Sequence, residues 1–362
     1  MKVAHFAPFA PRACGLYEAA RDFVLADQLA GRSAIFVDVG SVGDGGAYQP
    51  PRPGAEDVRR SWTLRVSPQD EALSADLWVV HNCINDRAFS ARAGQPMVWV
   101  LHGRPVDCFR PEFWRRGAAS YSTYAEVAAW PRVRRLLTLW PEHAPLWAPI
   151  VPAGKLAVLP APPIDQDLYS PDGPVHEFAP EHRGEFHVLI ADSWREDDPY
   201  YLVHGVALAA RKIPGLRLHL YSCEQPSGPW DHLYRHLRGL GVLGETRGRM
   251  GDMDHLYRAV DLVLTHNFSV SRIVAEALSC GTAVLAAAPN AFATFTYPAQ
   301  HDAYGVRDAL IFARRQLADA DCGLSGPVIR PAEAFCPRRF GAALGPVYAA
   351  ALGKEKLEAA DG

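Results

Sequence analysis

Short apolar runs alternate with stretches of helical periodicity along nearly the whole chain. Met1 to Pro8, SAIFVDVG from Ser33, and residues 62–66, 77–81 and 97–101 are dense in Val, Leu, Ile and aromatic side chains. Each is bounded by polar, Gly or Pro positions, the pattern of strands buried in a parallel sheet. Between the first two, Leu16, Ala19, Ala20, Phe23, Val24 and Leu29 fall on one helical side and Gly31 supplies a stop. This spacing predicts a β-loop-α-β unit, the start of a doubly wound sheet, with Gly15 at the loop-to-helix junction. KLAVLP then gives another strand before a proline-rich connection. The second half repeats the alternation: FHVLIADS, a helix over 200–212, LRLHLYS, a helix over 230–240, VLGETRG, a helix over 253–259, then DLVLTH, a helix from Ser271 and TAVLAAA. Residues 332–360 read as a closing helical segment, with Pro346 as a point of interruption.

A chain of 362 residues accommodates two domains, each with its own core. Apolar content of 49% and charged content of 21% are those of a globular protein, and no apolar run reaches the roughly 20 residues that span a bilayer. The amino terminus shows no signal-peptide pattern, so a cytoplasmic location without a membrane span is expected. Lys plus Arg number 37 against 40 Asp plus Glu, a net charge of −3, which argues against an extensive nucleic-acid surface. Seven scattered cysteines without a C-x-x-C pair suit reduced, packed thiols, and no zinc site is expected. The D-x-D at Asp319–Asp321 has no strand before it to position a metal ion.

The candidate chemistry concentrates between Asp261 and Ala288. A helix that starts at the carboxyl end of a parallel strand turns unpaired N–H groups and a positive dipole end toward the sheet's crevice, where anions bind. Ser269 or Ser271 can cap this helix, and Gly281 ends it. Arg272 in its first turn can pair with phosphate, and Glu276, one turn later on roughly the same face, can accept from hydroxyls such as a ribose diol. His102 closes the strand 97–101, where crevice-lining residues belong, and His81 and Asn82 close the strand before it. Phe109 to Ile150 mixes Arg with Tyr121, Tyr124, Trp130, Trp140 and Trp147, which suits either stacking on a sugar or nucleic acid or core aromatics on a solvated helix.

The segment EALSCGTAVLA resembles the signature of the glycosyl transferases group 1 family, retaining enzymes of GT-B fold. The resemblance implies an α/β architecture of two Rossmann-like domains facing a central cleft. It places an amino-terminal acceptor-side domain at 1–168, a nucleotide-sugar domain at 169–340, and a helix over 341–362 that packs back on the first. It implies a nucleotide-diphosphate sugar as donor, retention of anomeric configuration, and neither metal nor other cofactor. Glu276 takes the place of the family's ribose-holding glutamate, and Arg195 in ADSWRED that of the arginine on the donor phosphates. The family's glycine loop after the first strand corresponds to Gly15, and its sugar-contacting histidine to His102. Gly15, Arg195, Asn267, Ser271, Arg272 and Glu276 are thus the donor-binding candidates, and His102, Arg195 and Arg272 the catalytic ones.

The chain departs from the family pattern in two places. Phe268 stands where a second glutamate contacts the donor sugar, and Val270, Ser271 and Arg272 replace a Gly-Phe-Gly turn. Asp197, Asp198, Pro199 and Tyr200 replace a phosphate-binding lysine, a loss for which Arg272 can compensate. Arg249 lies in a loop that in the family packs on the nucleotide base. The acceptor stays open among carbohydrate, small molecule and modified DNA base, as does the oligomeric state. Two further readings remain: a phage-type enzyme that glycosylates hydroxylated DNA bases, and a degenerate protein that binds a nucleotide or partner without turnover.

Overall fold

The computed structural model describes residues 1–11, 15–39, 54–82, 94–102, 121–159, 161–191, 200–221, 231–247, 251–265, 272–287, 297–299, 302–318 and 331–354. The chain divides into two compact units, Met1–Asp165 with Phe335–Gly362, and Gln166–Ala334.

In the first unit β1 (Lys2–Ala7), α1 (Gly15–Leu29) and β2 (Ser33–Asp38) form the expected β-α-β start. A hairpin of β3 (Glu56–Val58) and β4 (Thr63–Arg65) precedes β5 (Leu77–His81), β6 (Met97–Leu101), α2 (Tyr121–Ala129), β7 (Val133–Thr138) and β8 (Leu156–Val158). Six strands run parallel in the order β2-β1-β5-β6-β7-β8. The order reverses between β1 and β5, the position at which open parallel sheets form a crevice beyond the strands' carboxyl ends. Both β5 and β6 are buried at every position, as their unbroken apolar runs require. Residues 62–66 belong instead to the antiparallel hairpin: Leu64 and Val66 point inward while Thr63 and Arg65 are exposed, the period-two pattern of a one-sided strand.

Helix α1 departs from a simple amphipathic reading. Its apolar stripe is buried apart from the half-buried Leu16 at the start and the exposed Leu29 at the end, and its charged residues Glu18, Arg21, Asp22 and Asp27 are buried too. The closing helix, α8 (Pro337–Ala351 in chain order), covers one side of α1 and runs unbroken through Pro346. The proline leaves the Ala342 carbonyl without its helical donor, and Ala342 is exposed, so water can supply the bond. Gly341 permits the close approach: a Cβ there would lie 2.1 Å from the Ala26 carbonyl oxygen. The guanidinium of Arg32 donates to the Gly341 carbonyl at the same contact.

The other side of α1 meets the hairpin through an ionic network. Arg21, fully buried, pairs with Asp165 at 2.9 Å and with Asp57 at 3.3 Å, and its guanidinium lies 4.2 Å from the centroid of the Trp62 ring. Trp62 Nε1 donates to Asp165 at 2.9 Å and Tyr17 Oη to Asp57 at 2.6 Å. Arg59 bridges Asp57 and Glu18 at 3.1 and 2.7 Å. Burial and the Asp57 carboxylate push the Tyr17 phenol well above its ordinary value, so it acts as a neutral donor.

The second unit contains β9 (Phe186–Ile190), α3 (Tyr200–Ala209), β10 (Leu216–Tyr221), α4 (Asp231–Gly239), β11 (Leu243–Arg247), α5 (Met253–Ala259), β12 (Leu262–Thr265), α6 (Arg272–Ser279), β13 (Ala283–Ala287), β14 (Tyr297–Ala299) and α7 (Ala303–Ala318). Its six strands are also parallel, in the order β11-β10-β9-β12-β13-β14, and reverse between β9 and β12. Helix α7 packs closely on α3, where Gly205 leaves no room for a side chain: a Cβ would fall 2.5 Å from Val306.

A histidine stack joins β9, β10 and β11 in this unit. Phe178 stacks on His187 and His219 at 4.3 and 4.2 Å between centroids. The Glu245 backbone N–H donates to His219 Nδ1 at 3.1 Å, which leaves His219 Nε2–H to donate to His187 Nδ1 at 2.9 Å. His187 Nε2–H then donates to the His182 carbonyl at 3.1 Å. Burial is the main cause that lowers His219 to about 3, and it lowers His187 as well. The native state therefore keeps His219 neutral, whereas the unfolded chain protonates it near 6.5. Stability is fully present above about pH 6.5 and is lost as pH falls toward 3, by roughly 2 kcal/mol at pH 5 from His219 alone. Urea titrations of the second unit's transition at pH 7.5 and 5 should show this loss, and His219→Gln should reduce the difference.

Candidate functional site

Strand β12 and helix α6 follow from the sequence in a direct way. LVLT is buried throughout as a central parallel strand, and Val274, Ala275, Ala277 and Leu278 form the buried face of α6. Gly281 ends the helix with φ +81°, a backbone conformation that favours glycine. Arg272 occupies the first turn, where a cation meets the positive end of the helix dipole. That placement is unfavourable unless an anion is close.

In this structure the anion is Glu276. Arg272 Nε donates to Glu276 Oε1 at 2.5 Å, and Tyr257 Oη on α5 donates to Glu276 Oε2 at 3.1 Å. Burial first and the Glu276 charge second push the Tyr257 phenol well above its ordinary value, so it stays a proton donor. The Arg272 guanidinium also faces the Tyr169 ring, 5.9 Å from its centroid. The backbone on either side of Tyr169 is held by Arg258, which pairs with Asp254 and donates to the carbonyls of Leu168 at 3.5 Å, Ser170 at 3.0 Å and Pro174 at 2.7 Å. Two residues expected to serve separate parts of a ligand thus form one pair, set against a ring and a phenol.

Tyr257 and Tyr169 were not legible as site residues. Tyr257 lies in a helical run whose spacing marks it as core, and Tyr169 in a proline-rich connection. Arg195, Asn267, Ser271 and Arg249 lie outside the described residues, as do Phe268 and Asp197 to Pro199.

In the first unit Gly15 is the first residue of α1 and is exposed, with open space where a Cβ would stand. The sequence reading is met in position: backbone N–H groups of a helix start follow the carboxyl end of β1. His102 directly follows β6, half-buried, with its ring stacked on His81 at 5.1 Å between centroids. His102 Nε2 and His81 Nδ1 are 2.8 Å apart. Asn82 adopts φ +53°, which asparagine tolerates, and its Oδ1 accepts the His102 backbone N–H at 3.4 Å. His81 and His102, at the ends of neighbouring strands, are therefore one assembly.

The basic aromatic stretch resolves toward the core. Tyr124 stacks on Trp99 at 5.1 Å and lies 5.1 Å from Trp147, and Trp140 and Trp147 are buried. Tyr124, Trp99 and Trp147 fill space in the core under β6 and β7. Residues 103–120 and the Tyr121 side chain lie outside the described residues. Among the described residues no cluster of His, Cys, Asp or Glu could hold a metal ion, and no helix is long and apolar enough to cross a membrane.

No protein-family model and no curated protein sequence matches the chain. Solved structures do match it over nearly its full length. HepE from Anabaena, crystallised with UDP and glucose, aligns at a TM-score of 0.65 with 14% identity, covering 96% of this chain and 99% of its own. A sucrose-phosphate synthase from Thermosynechococcus elongatus aligns at 0.66 with 12% identity, covering 98% and 100%. The fold is GT-B. A glycosyltransferase from Rickettsia africae agrees at 0.63, with 10% identity over 98% and 99% of the two chains. At these identities the likeness establishes the GT-B architecture, and the two parallel sheets with their reversals at β1/β5 and β9/β12 are its halves.

Proposed function

We propose that this GT-B protein transfers a glycosyl group from a nucleoside-diphosphate sugar to a hydroxyl acceptor, with retention of configuration and without a metal ion. One observation carries the reading: an arginine in the first turn of α6, beyond a switch-point strand, beside a buried glutamate on the next turn. The reaction breaks the bond between the anomeric carbon and a diphosphate oxygen, and negative charge grows on the leaving group. Fixed positive charge and helix N–H groups are the means to stabilise it. In the proposed donor complex Arg272 turns from Glu276 to the diphosphate, and Glu276 Oε1 accepts from the ribose hydroxyls while Tyr257 keeps Oε2 in place. Arg195 is the second phosphate-binding group in this reading, and Asn267, Ser271 and Gly15 complete the donor contacts. His102 receives or orients the acceptor hydroxyl. The Anabaena structures, solved with UDP or UDP-glucose, support a uridine nucleotide as the first donor to try.

The test is acceptor-dependent release of nucleoside diphosphate across a panel of donors and hydroxyl acceptors. One donor should turn over, and Arg272→Ala should lower kcat/KM by roughly 10²–10³-fold through loss of charge stabilisation. Turnover unchanged by Arg272→Ala would remove the proposed role of α6.

A further inference from the structure

Arg272 and Glu276 turn toward each other the groups that a nucleotide would engage. Arg272 Nε donates to Glu276 Oε1 at 2.5 Å, and the two side chains are only 13% and 8% exposed. The guanidinium also faces the Tyr169 ring, 5.9 Å from its centroid. A ligand therefore reaches either polar end only after the pair is drawn apart. The two residues lie at i,i+4 spacing on one face of α6, so a rotamer change at Arg272 opens the pair without movement of the helix.

Tyr257 is the fixed point of this arrangement. Its Oη donates to Glu276 Oε2 at 3.1 Å, the residue is buried, and its backbone carbonyl accepts from Thr282 Oγ1. Burial, with the Glu276 charge second, holds the phenol well above its ordinary range, so it remains a donor. When Arg272 turns away, Oε2 keeps this bond and the carboxylate stays in place, with Oε1 turned to a new donor.

We propose that the Arg272–Glu276 pair is a latch that makes the site select ligands carrying an anion and ribose hydroxyls together over ligands carrying only one of them. The proposal rests on the glycosyl-transfer reading for which ligand groups meet the two side chains. A phosphate alone takes Arg272 and leaves the covered carboxylate short of a charged donor. A nucleoside alone takes Glu276 and leaves a guanidinium in the first turn of a helix short of its anion. Each ligand bears the full cost of opening and replaces half of what is lost. A ribonucleoside diphosphate opens the pair once and replaces both halves. Further contacts of either side chain change the cost of opening alike for every ligand and leave this coupling in place. Coupling between two sites is reciprocal: phosphate at Arg272 strengthens nucleoside binding at Glu276, and the nucleoside strengthens phosphate binding by the same factor. A charge-assisted hydrogen bond between two covered groups sets that factor at about tenfold.

Ligand-detected NMR on the full-length protein tests this with uridine, guanosine and adenosine, each with and without inorganic phosphate at matched ionic strength. On the wild type one nucleoside should bind about tenfold tighter in saturating phosphate, and phosphate about tenfold tighter in saturating nucleoside. Arg272→Met, checked first for its own melting transition, should bind that nucleoside about tenfold tighter than the wild type does when phosphate is absent. Phosphate should then change nothing, and UDP, GDP or ADP should bind the variant more weakly than the wild type. A side chain that only contacts the ligand gives no gain on removal. Nucleoside binding to the wild type that is undetectable or indifferent to phosphate would overturn the latch, and this arm needs no variant. So would an Arg272→Met that binds the nucleoside no better than the wild type. Binding of UDP, GDP and ADP to the wild type is measured alongside. Nucleotide binding without coupling removes the latch and keeps the glycosyl-transfer reading, whereas no nucleotide binding removes the reading itself.

Discussion

Replacing Arg21 with methionine should destabilise the first unit by about 3–5 kcal/mol, the cost of leaving buried charge uncompensated. The fully buried guanidinium sits among Asp22, Asp57 and Asp165 and stacks on Trp62. With Arg59 and Glu18 the network holds, among the described residues, two guanidiniums and four carboxylates, so loss of Arg21 removes one of its described cations. Methionine fills much of the volume, and the change therefore isolates charge from packing. On a unit of this size the melting temperature should fall by on the order of 10 °C. Arg21→Lys should recover only part of this, because an ammonium cannot bridge Asp57 and Asp165 while lying flat on Trp62. Calorimetry decides: a shift within a degree or two for Arg21→Met would mean the network contributes nothing net to stability.

Gly341→Ala should also destabilise, against the direction that helix propensity gives. In a free helix the substitution would gain about 1 kcal/mol. Here the new methyl would lie 2.1 Å from the Ala26 carbonyl oxygen and 3.1 Å from Ala30 Cβ, with a backbone atom as the obstacle, so α8 must move off α1. An overpacking cost of roughly 3 kcal/mol outweighs the propensity gain, for a net loss of about 2 kcal/mol. Four residues along, Gly345 has open space around its absent Cβ. Gly345→Ala should stabilise by up to about 1 kcal/mol. The pair of opposite signs on one helix, read by thermal denaturation, tests the packing of α8 on α1.

The strand-helix alternation was legible because strands such as Leu77–His81 and Leu262–Thr265 are buried on both faces and leave an unbroken apolar signature. Of the hairpin at 56–65 the second strand was legible in the run 62–66, whereas its partner β3 and the antiparallel pairing escaped, since three residues on each side show only a short alternation. The i,i+4 spacing of Arg272 and Glu276 placed both on one face, and it gave no sign that they pair with each other or that Tyr257 supports them. Long-range polar contacts are the general blind spot. His5 lies 76 positions from His81, and Arg21 lies 144 from Asp165. Periodicity reports which way a side chain points, not what it meets there, and α1 shows the consequence: its apolar stripe was legible, while the burial of Glu18, Arg21, Asp22 and Asp27 beside it was not.

The measurement closest to the central claim is a thermal-shift panel with UDP, GDP, ADP and their sugar conjugates, on the wild type, Arg272→Ala and Glu276→Gln. Each variant is first checked for its own melting transition, because the pair is part of the packing around Tyr257. A ligand well above its Kd should raise stability by roughly 2–3 kcal/mol. One nucleotide sugar that stabilises the wild type, with the shift abolished by Arg272→Ala and reduced by Glu276→Gln, is the predicted result. A panel without any shift, or one in which both variants respond as the wild type does, would contradict a nucleotide site at the start of α6.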